Sequence, residues 1–145
     1  MDQKIRVNAI DHINMSVNNL EESILFYKKL FGFEIIEDSR SGAIPPNKFG
    51  APYVIIGIKQ CVYLALHQGL QTGDGKHNGS PIRRAHFGLH VEDFDTVIAK
   101  LKSHSVSFLY GETYLEGPHS RSVYILDPNQ HEIELVEHFG GRETK

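Results

Sequence analysis

Residues 11–33 read DHINMSVNNLEESILFYKKLFGF, and residues 85–106 follow the same plan as AHFGLHVEDFDTVIAKLKSHSV. When His12 is aligned on His86 without a gap, further apolar positions coincide: Val17 with Val91, Leu20 with Phe94 and Ile24 with Ile98. Each copy first alternates polar and apolar residues and then changes to the spacing of an amphipathic helix. The repeat therefore predicts two modules, each beginning with a strand and a helix.

The first module is predicted to contain one helix over 20–31, with Asn19 as its N-cap residue. Its predicted strands are 8–17, 33–37, 53–58 and 61–67, with a long loop at 38–52 rich in Gly, Pro and Asn. The second module repeats this order, with a helix over 94–103 capped by Asp93. Its predicted strands are 84–91, 106–109, 120–127 and 131–138, with a loop at 110–119.

Helices that lie on one face of a mixed sheet place the chain in the α+β class. We predict two tandem βαβββ modules whose curved sheets form a metal-binding cleft. With 145 residues the chain has the size of one ordinary domain. Within this single domain, module one covers about 8–67, a polar linker covers 68–83 and module two covers about 84–138.

Composition excludes several classes of function. A net charge of -3 argues against nucleic acid or an anionic membrane as the main partner. The chain has no run near the ~18 apolar residues that a bilayer-spanning helix needs. The N-terminal sequence MDQKIRVNAI lacks the apolar core of a signal peptide. A single cysteine, Cys61, excludes an internal disulfide, so we predict a cytoplasmic protein.

Three polar residues stand inside otherwise half-buried strands: His12, His86 and Glu134. The alternation of the strands turns all three toward the predicted cleft, opposite the helix-covered face. Two imidazoles and one carboxylate suit a single divalent ion of Fe, Mn, Ni, Co or Zn, and leave positions open for a substrate. The alternative is structural: two neutral core histidines and a carboxylate paired with a basic residue.

Three motifs carry a family resemblance, namely DHINMSVNNLEESILFYKKLFGFEI, HFGLHVEDFD and SVYILDPNQHEIELVE. With them the chain resembles the vicinal oxygen chelate superfamily, which holds glyoxalase I, bleomycin-resistance proteins, extradiol dioxygenases and fosfomycin-resistance proteins. The resemblance implies the paired βαβββ fold, metal-dependent chemistry on a small molecule with vicinal oxygens, and a homodimer. It also carries the family's metal ligands onto His12, His86 and Glu134.

The ligand count separates the branches of this superfamily. Overlaying QHEIELVE on KQCVYLALH places Ala65, which cannot bind a metal, at the position equivalent to Glu134. A three-ligand site resembles extradiol dioxygenases and fosfomycin-resistance transferases more than glyoxalase I, which uses a fourth ligand. We therefore favour an extradiol-type dioxygenase slightly, with a glyoxalase-type lyase or isomerase and a fosfomycin-type thiol transferase as alternatives.

Two further observations bear on these alternatives. The Lys/Ser potassium-site pattern expected of a fosfomycin enzyme is not evident in YLEGPHSRS, residues 114–122. A metal-free protein that sequesters a drug or metabolite, similar to bleomycin-resistance proteins, is the alternative outside enzymes. Such proteins typically lack the His/His/Glu set, so its presence here argues for a metalloenzyme.

Four more residues are candidates for the chemistry. Both three-ligand branches resemble this chain in a tyrosine ten residues before the terminal glutamate, here Tyr124, which would orient the substrate. His67 and His90 would face the cleft and transfer protons, because an imidazole pKa is easily moved across neutrality. Arg121 would bind an anionic group of the substrate.

Overall fold

The computed structural model describes residues 4, 6–47, 50–69, 76–77, 80–81, 86–110, 115–116 and 119–139. The chain divides into two compact units, residues 1–71 and 72–145, and the boundary falls inside the predicted linker 68–83. That the two modules make one domain stays a prediction. Within the described residues, no helix is long and apolar enough to cross a membrane.

The first unit is a βαβββ module. Its elements are β1 (Ile13–Val17), α1 (Leu20–Phe31), β2 (Glu34–Asp38), a 3-10 turn (Ser39–Ser41), β3 (Tyr53–Ile58) and β4 (Val62–Gln68). The sheet order is β1-β4-β3-β2, in which β1 and β4 are parallel and the other pairs antiparallel. Helix α1 packs on β3 and β4.

The second unit repeats this topology after a short hairpin. Its elements are β5 (Lys76–His77), β6 (Ser80–Pro81), β7 (Phe87–His90), α2 (Phe94–Ser103), β8 (Leu115–Glu116), β9 (Ser120–Leu126) and β10 (Glu132–His138). Its main sheet has the order β7-β10-β9-β8, again with one parallel pair, β7 and β10. The predicted α+β fold with two βαβββ modules and mixed sheets is confirmed.

The ends of α1 follow from its sequence. The Asn19 side chain accepts a hydrogen bond from the Glu22 amide at 3.0 Å, as predicted for the N-cap. At the other end, Gly32 adopts φ 71, a left-handed conformation that glycine reaches without strain. Its amide donates to the Lys28 carbonyl, which ends the helix so that Phe33 can turn into the core.

Strand register shows that the two sheets are equivalent residue by residue. Asn14 on β1 pairs with Ala65 on β4, and Gly88 on β7 pairs with Glu134 on β10. Asn14 and Gly88 are equivalent in the gapless alignment of His12 on His86. Their strand partners Ala65 and Glu134 are therefore equivalent too, as the overlay of the two terminal strands predicts. The neighbouring strand continues the pattern, with Ile55 opposite Ala65 and Tyr124 opposite Glu134.

Period-two alternation gives each sheet an apolar face and a polar face. The apolar faces are buried and supply most of the core: Met15, Val17, Val54, Ile56, Leu64, Leu66, Val123, Ile125, Ile133 and Leu135. We call the opposite side the polar face; it carries Asn14, Ala65 and His67 in the first sheet and Gly88, Tyr124 and Glu134 in the second. Burial of one face sets the register, because a one-residue slip would bring polar residues into the core.

Four sequence-based predictions are wrong in detail. The strand predicted at 8–17 begins only at Ile13, so His12 precedes its strand as His86 does. The strand predicted at 106–109 is a single bridge between Phe108 and Ile125, because the segment between helix and turn is too short for a ladder. A short strand, β8, instead lies inside the predicted loop 110–119. The predicted linker 68–83 contains the β5–β6 hairpin.

The N-terminus of α2 also differs from its prediction. Asp93 adopts φ 58 and ψ 63, so its side chain makes no capping hydrogen bond to the helix. Its backbone amide donates to Glu137 Oε2 at 3.1 Å instead. Asp93 is thus the boundary residue of α2 but not a side-chain cap.

Candidate metal centre

The second unit brings two of the three predicted metal ligands together. Glu134 lies in the middle of β10, and His86 immediately precedes the parallel neighbour β7. His86 Nε2 is 3.0 Å from Glu134 Oε1. Gly88, paired with Glu134, leaves the space beside this carboxylate free of a side chain.

Tyr124 completes this contact from the adjacent strand. It pairs directly with Glu134 across β9 and β10, and its ring meets the His86 ring edge-on at 5.2 Å. Burial and a hydrogen bond to Glu134 raise the pKa of Tyr124 to about 12. The phenol therefore stays protonated at neutral pH and donates to the carboxylate.

Two further side chains border this group. Glu132 lies two residues before Glu134 on the same face, and its Oε2 is 3.9 Å from His86 Nδ1. Tyr110 donates a hydrogen bond to Glu132 Oε2 at 3.3 Å, and its ring contacts that of Tyr124 at 5.4 Å. His86 is thus flanked by a carboxylate at each ring nitrogen.

His12, the third predicted ligand, belongs to the first unit. Its Nδ1 is 2.8 Å from Asp11 Oδ2, and its side chain is 40% exposed. A carboxylate that holds Nδ1 fixes the tautomer of an imidazole and leaves Nε2 as the donor for a metal. The Asp11 side chain is itself 96% exposed, so the ligand role of His12 stays a prediction.

The residues present fit a divalent ion. Ligand atoms about 2.1 Å from a metal and at right angles to each other lie about 3 Å apart, which is the observed separation of His86 Nε2 and Glu134 Oε1. Nitrogen and carboxylate donors suit the borderline divalent metals. Among the described residues, no three His, Cys, Asp or Glu side chains are already gathered around one point. The pair in the second unit is thus the assembled part of the predicted set.

His67 lies on the polar face of the first sheet in a hydrogen-bonded setting. Its Nδ1 is 2.9 Å from the Asn47 amide nitrogen, and its Nε2 is 3.2 Å from Asn14 Oδ1. These partners match a neutral ring protonated on Nε2. Burial and the nearby His12 lower the pKa of His67, and the Tyr53 ring stacks on it at 5.5 Å.

The other two predicted residues lie elsewhere. His90, at the end of β7, is exposed, and its ring contacts that of His138 at 5.6 Å. Arg121 lies on the apolar side of its sheet, where it pairs with Glu137 at 3.0 Å and with Asp95 at 3.5 Å. Its guanidinium also covers the Phe94 ring at the start of α2. These contacts join the sheet to the helix. We therefore do not include Arg121 among the substrate-binding residues of the proposed function.

Four residues of these clusters had no assigned role in the sequence analysis: Asn14, Asn47, Glu132 and Tyr110. Glu132 carries a usable signal, because it stands two residues before Glu134 in an alternating strand and so shares its face. Asn14 carries the same signal, because it stands two residues after His12 in an alternating segment. Asn47 and Tyr110 come from segments predicted as loops, where no period assigns a face.

Comparison with known proteins places these observations in a family. Residues 9–135 match the profile of the Glyoxalase/Bleomycin resistance protein/Dioxygenase superfamily. The chain is 29% identical over 133 residues to a metallothiol transferase FosB of Staphylococcus epidermidis. The aligned region covers 90% of this chain and 82% of the relative. It is 27% identical over 141 residues to a metallothiol transferase FosB of Staphylococcus haemolyticus, with 96% and 88% covered.

Solved structures show the same fold. The fosfomycin resistance protein FosX of Listeria monocytogenes superposes with a TM-score of 0.67 at 19% identity, covering 95% of both chains. A mutant of that protein was solved with Mn(II) and 1S,2S-dihydroxypropylphosphonic acid; its TM-score is 0.69 at 18% identity, with 94% and 95% covered. Since the profile match spans both βαβββ units, the chain belongs to the Glyoxalase/Bleomycin resistance protein/Dioxygenase superfamily, also called the vicinal oxygen chelate superfamily.

Proposed function

We propose that this protein is a divalent-metal-dependent transferase that adds a thiol to an electrophilic small molecule, such as an epoxide that carries an anionic oxygen group. Relatives similar over about nine-tenths of the chain are named metallothiol transferases. We therefore favour the thiol-transfer alternative over the dioxygenase that the sequence slightly favours. The observation that carries it is the His86–Glu134 donor pair, with Tyr124 hydrogen-bonded beside it.

His12, His86 and Glu134 would hold one ion per chain. When bound, the ion supplies Lewis-acid stabilisation of negative charge on a substrate oxygen. In the proposed reaction a thiolate sulfur bonds to one epoxide carbon, the bond from that carbon to oxygen breaks, and the oxygen takes a proton. Three protein ligands leave positions at which oxygens of the substrate fit.

Tyr124 orients the substrate at this centre. When Glu134 binds the ion, the single hydroxyl proton of Tyr124 would be available to a substrate oxygen, so the phenol would act as a hydrogen-bond donor and not as a base. That donor lies next to the Glu134 carboxylate, where the oxygen of the opening ring would develop charge. A preorganised donor at such a place typically contributes about 3 kcal/mol to transition-state stabilisation.

The predicted proton-transfer role of His67 is not part of the proposed reaction, because both of its ring nitrogens are occupied by Asn14 and Asn47. A small-molecule substrate, a homodimer and a cytoplasmic location belong to the same proposal. They rest on the family and on the composition of the chain.

Metal content and thiol transfer test the proposal together. Protein prepared without a histidine tag is analysed for divalent metals, and is then mixed with fosfomycin, Mn(II) and a low-molecular-weight thiol such as cysteine or glutathione. The adduct is followed by mass spectrometry. We expect about one ion per chain and a metal-dependent adduct, with both lost in His86→Ala and Glu134→Ala. The exposed Glu92→Ala is the matched control, because it removes a carboxylate from the same unit.

Other outcomes separate the alternatives. A bound metal without any thiol adduct, but with oxygen uptake on a catechol, would restore the dioxygenase. Tight binding of fosfomycin or bleomycin without any metal would identify a sequestering protein. Either result would overturn the proposed transferase.

A further inference from the structure

We propose that Glu132 is a positioning residue for His86, holding the Nδ1 proton so that Nε2 presents its lone pair to a metal. This inference rests on the proposed metal centre, and it concerns a residue outside the predicted ligand set. It makes the second unit a carboxylate–histidine–metal arrangement in which Glu132 and Glu134 have different tasks.

Geometry places Glu132 for this role. It shares the polar face of β10 with Glu134 and points toward the opposite ring nitrogen of His86. Only 11% of its side chain is exposed, so its charge acts on His86 with little screening by water. A fully exposed carboxylate at this distance would have a much weaker influence.

The tautomer of His86 gives Glu132 its function. His86 Nε2 is engaged by Glu134 at 3.0 Å. A neutral imidazole carries only one N–H, so binding an ion through Nε2 requires the proton to reside on Nδ1. Glu132 is the carboxylate that faces Nδ1, and its present separation of 3.9 Å is an ion-pair distance that a proton on Nδ1 would shorten.

The first unit has a carboxylate at the same nitrogen, supplied from a different position. Asp11 contacts His12 Nδ1, but its aligned residue in the second copy is Ala85, which has no carboxylate. Conversely, strand register makes Tyr63 the first-unit equivalent of Glu132. Each candidate metal histidine thus has one acidic partner at Nδ1, from the preceding residue in one unit and from the neighbouring strand in the other.

Tyr110 fixes the position of the Glu132 carboxylate. It donates to the same Oε2 that faces His86, and its ring rests against that of Tyr124. These contacts restrict the Glu132 side chain before any metal binds. Outer contacts of this kind orient the ligands of a metal site.

Metal titration of Glu132→Gln in the full-length protein tests this inference. Metal-free wild type and variant are titrated with Mn(II) and Zn(II) by calorimetry. We expect the variant to bind about 10- to 100-fold more weakly, because an amide is a poorer acceptor for the Nδ1 proton. Glu92→Gln is the matched control and should bind like wild type. Urea unfolding of the metal-free proteins shows whether Glu132→Gln remains folded.

A second readout reports the hydrogen bond itself. In the Zn(II)-loaded wild type, the His86 Nδ1 proton should resonate far downfield and exchange slowly with water. In Glu132→Gln it should move upfield and exchange faster, which a general loss of stability would not produce. Tyr110→Phe keeps both carboxylates and should weaken metal binding by a smaller factor, about threefold.

The outcomes separate this inference from the proposed function. If wild type binds metal and Glu134→Ala does not, yet Glu132→Gln keeps the wild-type affinity and proton resonance, Glu132 is not a positioning residue and the metal centre stands. If Glu134→Ala binds metal as tightly as wild type, the metal centre itself is wrong, and the role of Glu132 is wrong with it.

Discussion

Opposite Asn14 on the first sheet stands Ala65, which is 3% exposed, whereas opposite Gly88 on the second sheet stands Glu134, whose side chain is 20% exposed. The backbone pairing is the same in both sheets, but the side chains at the paired positions differ in chemistry. Where β10 carries a carboxylate beside a glycine, β4 carries a methyl group beside an amide. A duplicated framework therefore tolerates very different polar faces as long as the apolar faces keep their alternation.

The polar groups of the first sheet lie two residues further along. His67 is engaged at both ring nitrogens by Asn47 and Asn14, which are neutral amides. His86 in the second sheet is instead flanked by Glu134 and Glu132. The first arrangement is already satisfied by hydrogen bonds, while the second concentrates negative charge that a cation would neutralise. The comparison teaches that two modules with the same backbone pairing can hold an imidazole between neutral amides on one polar face and an imidazole between two carboxylates on the other.

Exchanging the two equivalent residues is the strongest test of this comparison. Ala65→Glu places a carboxylate at a buried position whose described strand neighbours, Asn14 and Ile55, are uncharged, and we expect the free energy of unfolding to fall by more than about 3 kcal/mol. Glu134→Ala should change it by about 1 kcal/mol or less, because the His86–Glu134 pair is partly exposed. Urea denaturation at pH 7 measures both, with Ala65→Gln, which has the size of glutamate without its charge, as the control. Equal effects would show that the two sheet positions do not differ in burial.

Alkaline pH should act through the second unit. Because the folded-state pKa of Tyr124 is about 12 and the unfolded value is about 10, its contribution to stability is complete below pH 10 and is lost as the pH rises toward 12. In metal-free protein, Tyr124→Phe should flatten this alkaline loss, and Tyr63→Phe in the first unit should not. NMR titration of the tyrosine Cζ carbons locates the pKa directly. A Tyr124 pKa near 10 would contradict the burial and hydrogen bond described above.

The helix N-termini offer a smaller contrast between the units. Asn19 and Asp93 are aligned in the repeat, yet only Asn19 caps its helix through its side chain. We expect Asn19→Ala to lower the free energy of unfolding by about 1 kcal/mol. Asp93→Gly should leave it unchanged or raise it by about 0.5 kcal/mol, because glycine adopts a positive φ without strain. Thermal unfolding followed by circular dichroism compares them, and a larger loss in Asp93→Gly would reverse the assignment of the caps.

Acid pH should act through the first unit. The pKa of His67 lies below its usual value of about 6.5 because of burial and the nearby His12. The unfolded chain therefore takes up a proton more readily, so the stability contributed by neutral His67 is present above pH 6.5 and is lost as the pH falls. Replacing the group by His67→Gln should reduce this acid loss, whereas the exposed His104→Gln should not. Urea midpoints at pH 7.5 and 5.5 measure the difference, and identical acid losses in all three proteins would remove His67 from this role.

The core elements were easier to predict from the sequence than the contacts of the site, for a physical reason. Helices α1 and α2 and strand β3 were predicted with their observed bounds, because apolar period and turn residues are local signals. The prediction of a strand at 106–109 was wrong, because the four residues VSFL are too few for their period to distinguish a bridge from a ladder. The metal-ligand role of His12, His86 and Glu134 stays a prediction, although His86 and Glu134 lie together as expected.

By itself, the sequence determined the repeated βαβββ plan, the sheet faces and the equivalence of Ala65 with Glu134, since all of these follow from spacing along the chain. Only the tertiary structure decided that Arg121 joins its sheet to α2, that Asn47 reaches His67, and that Glu132 faces Nδ1 of His86. Those contacts join side chains that are 20 (Asn47 and His67) to 46 (His86 and Glu132) residues apart in the sequence, and no local period encodes them. Packing and hydrogen bonding between strands select them once the sheets have formed.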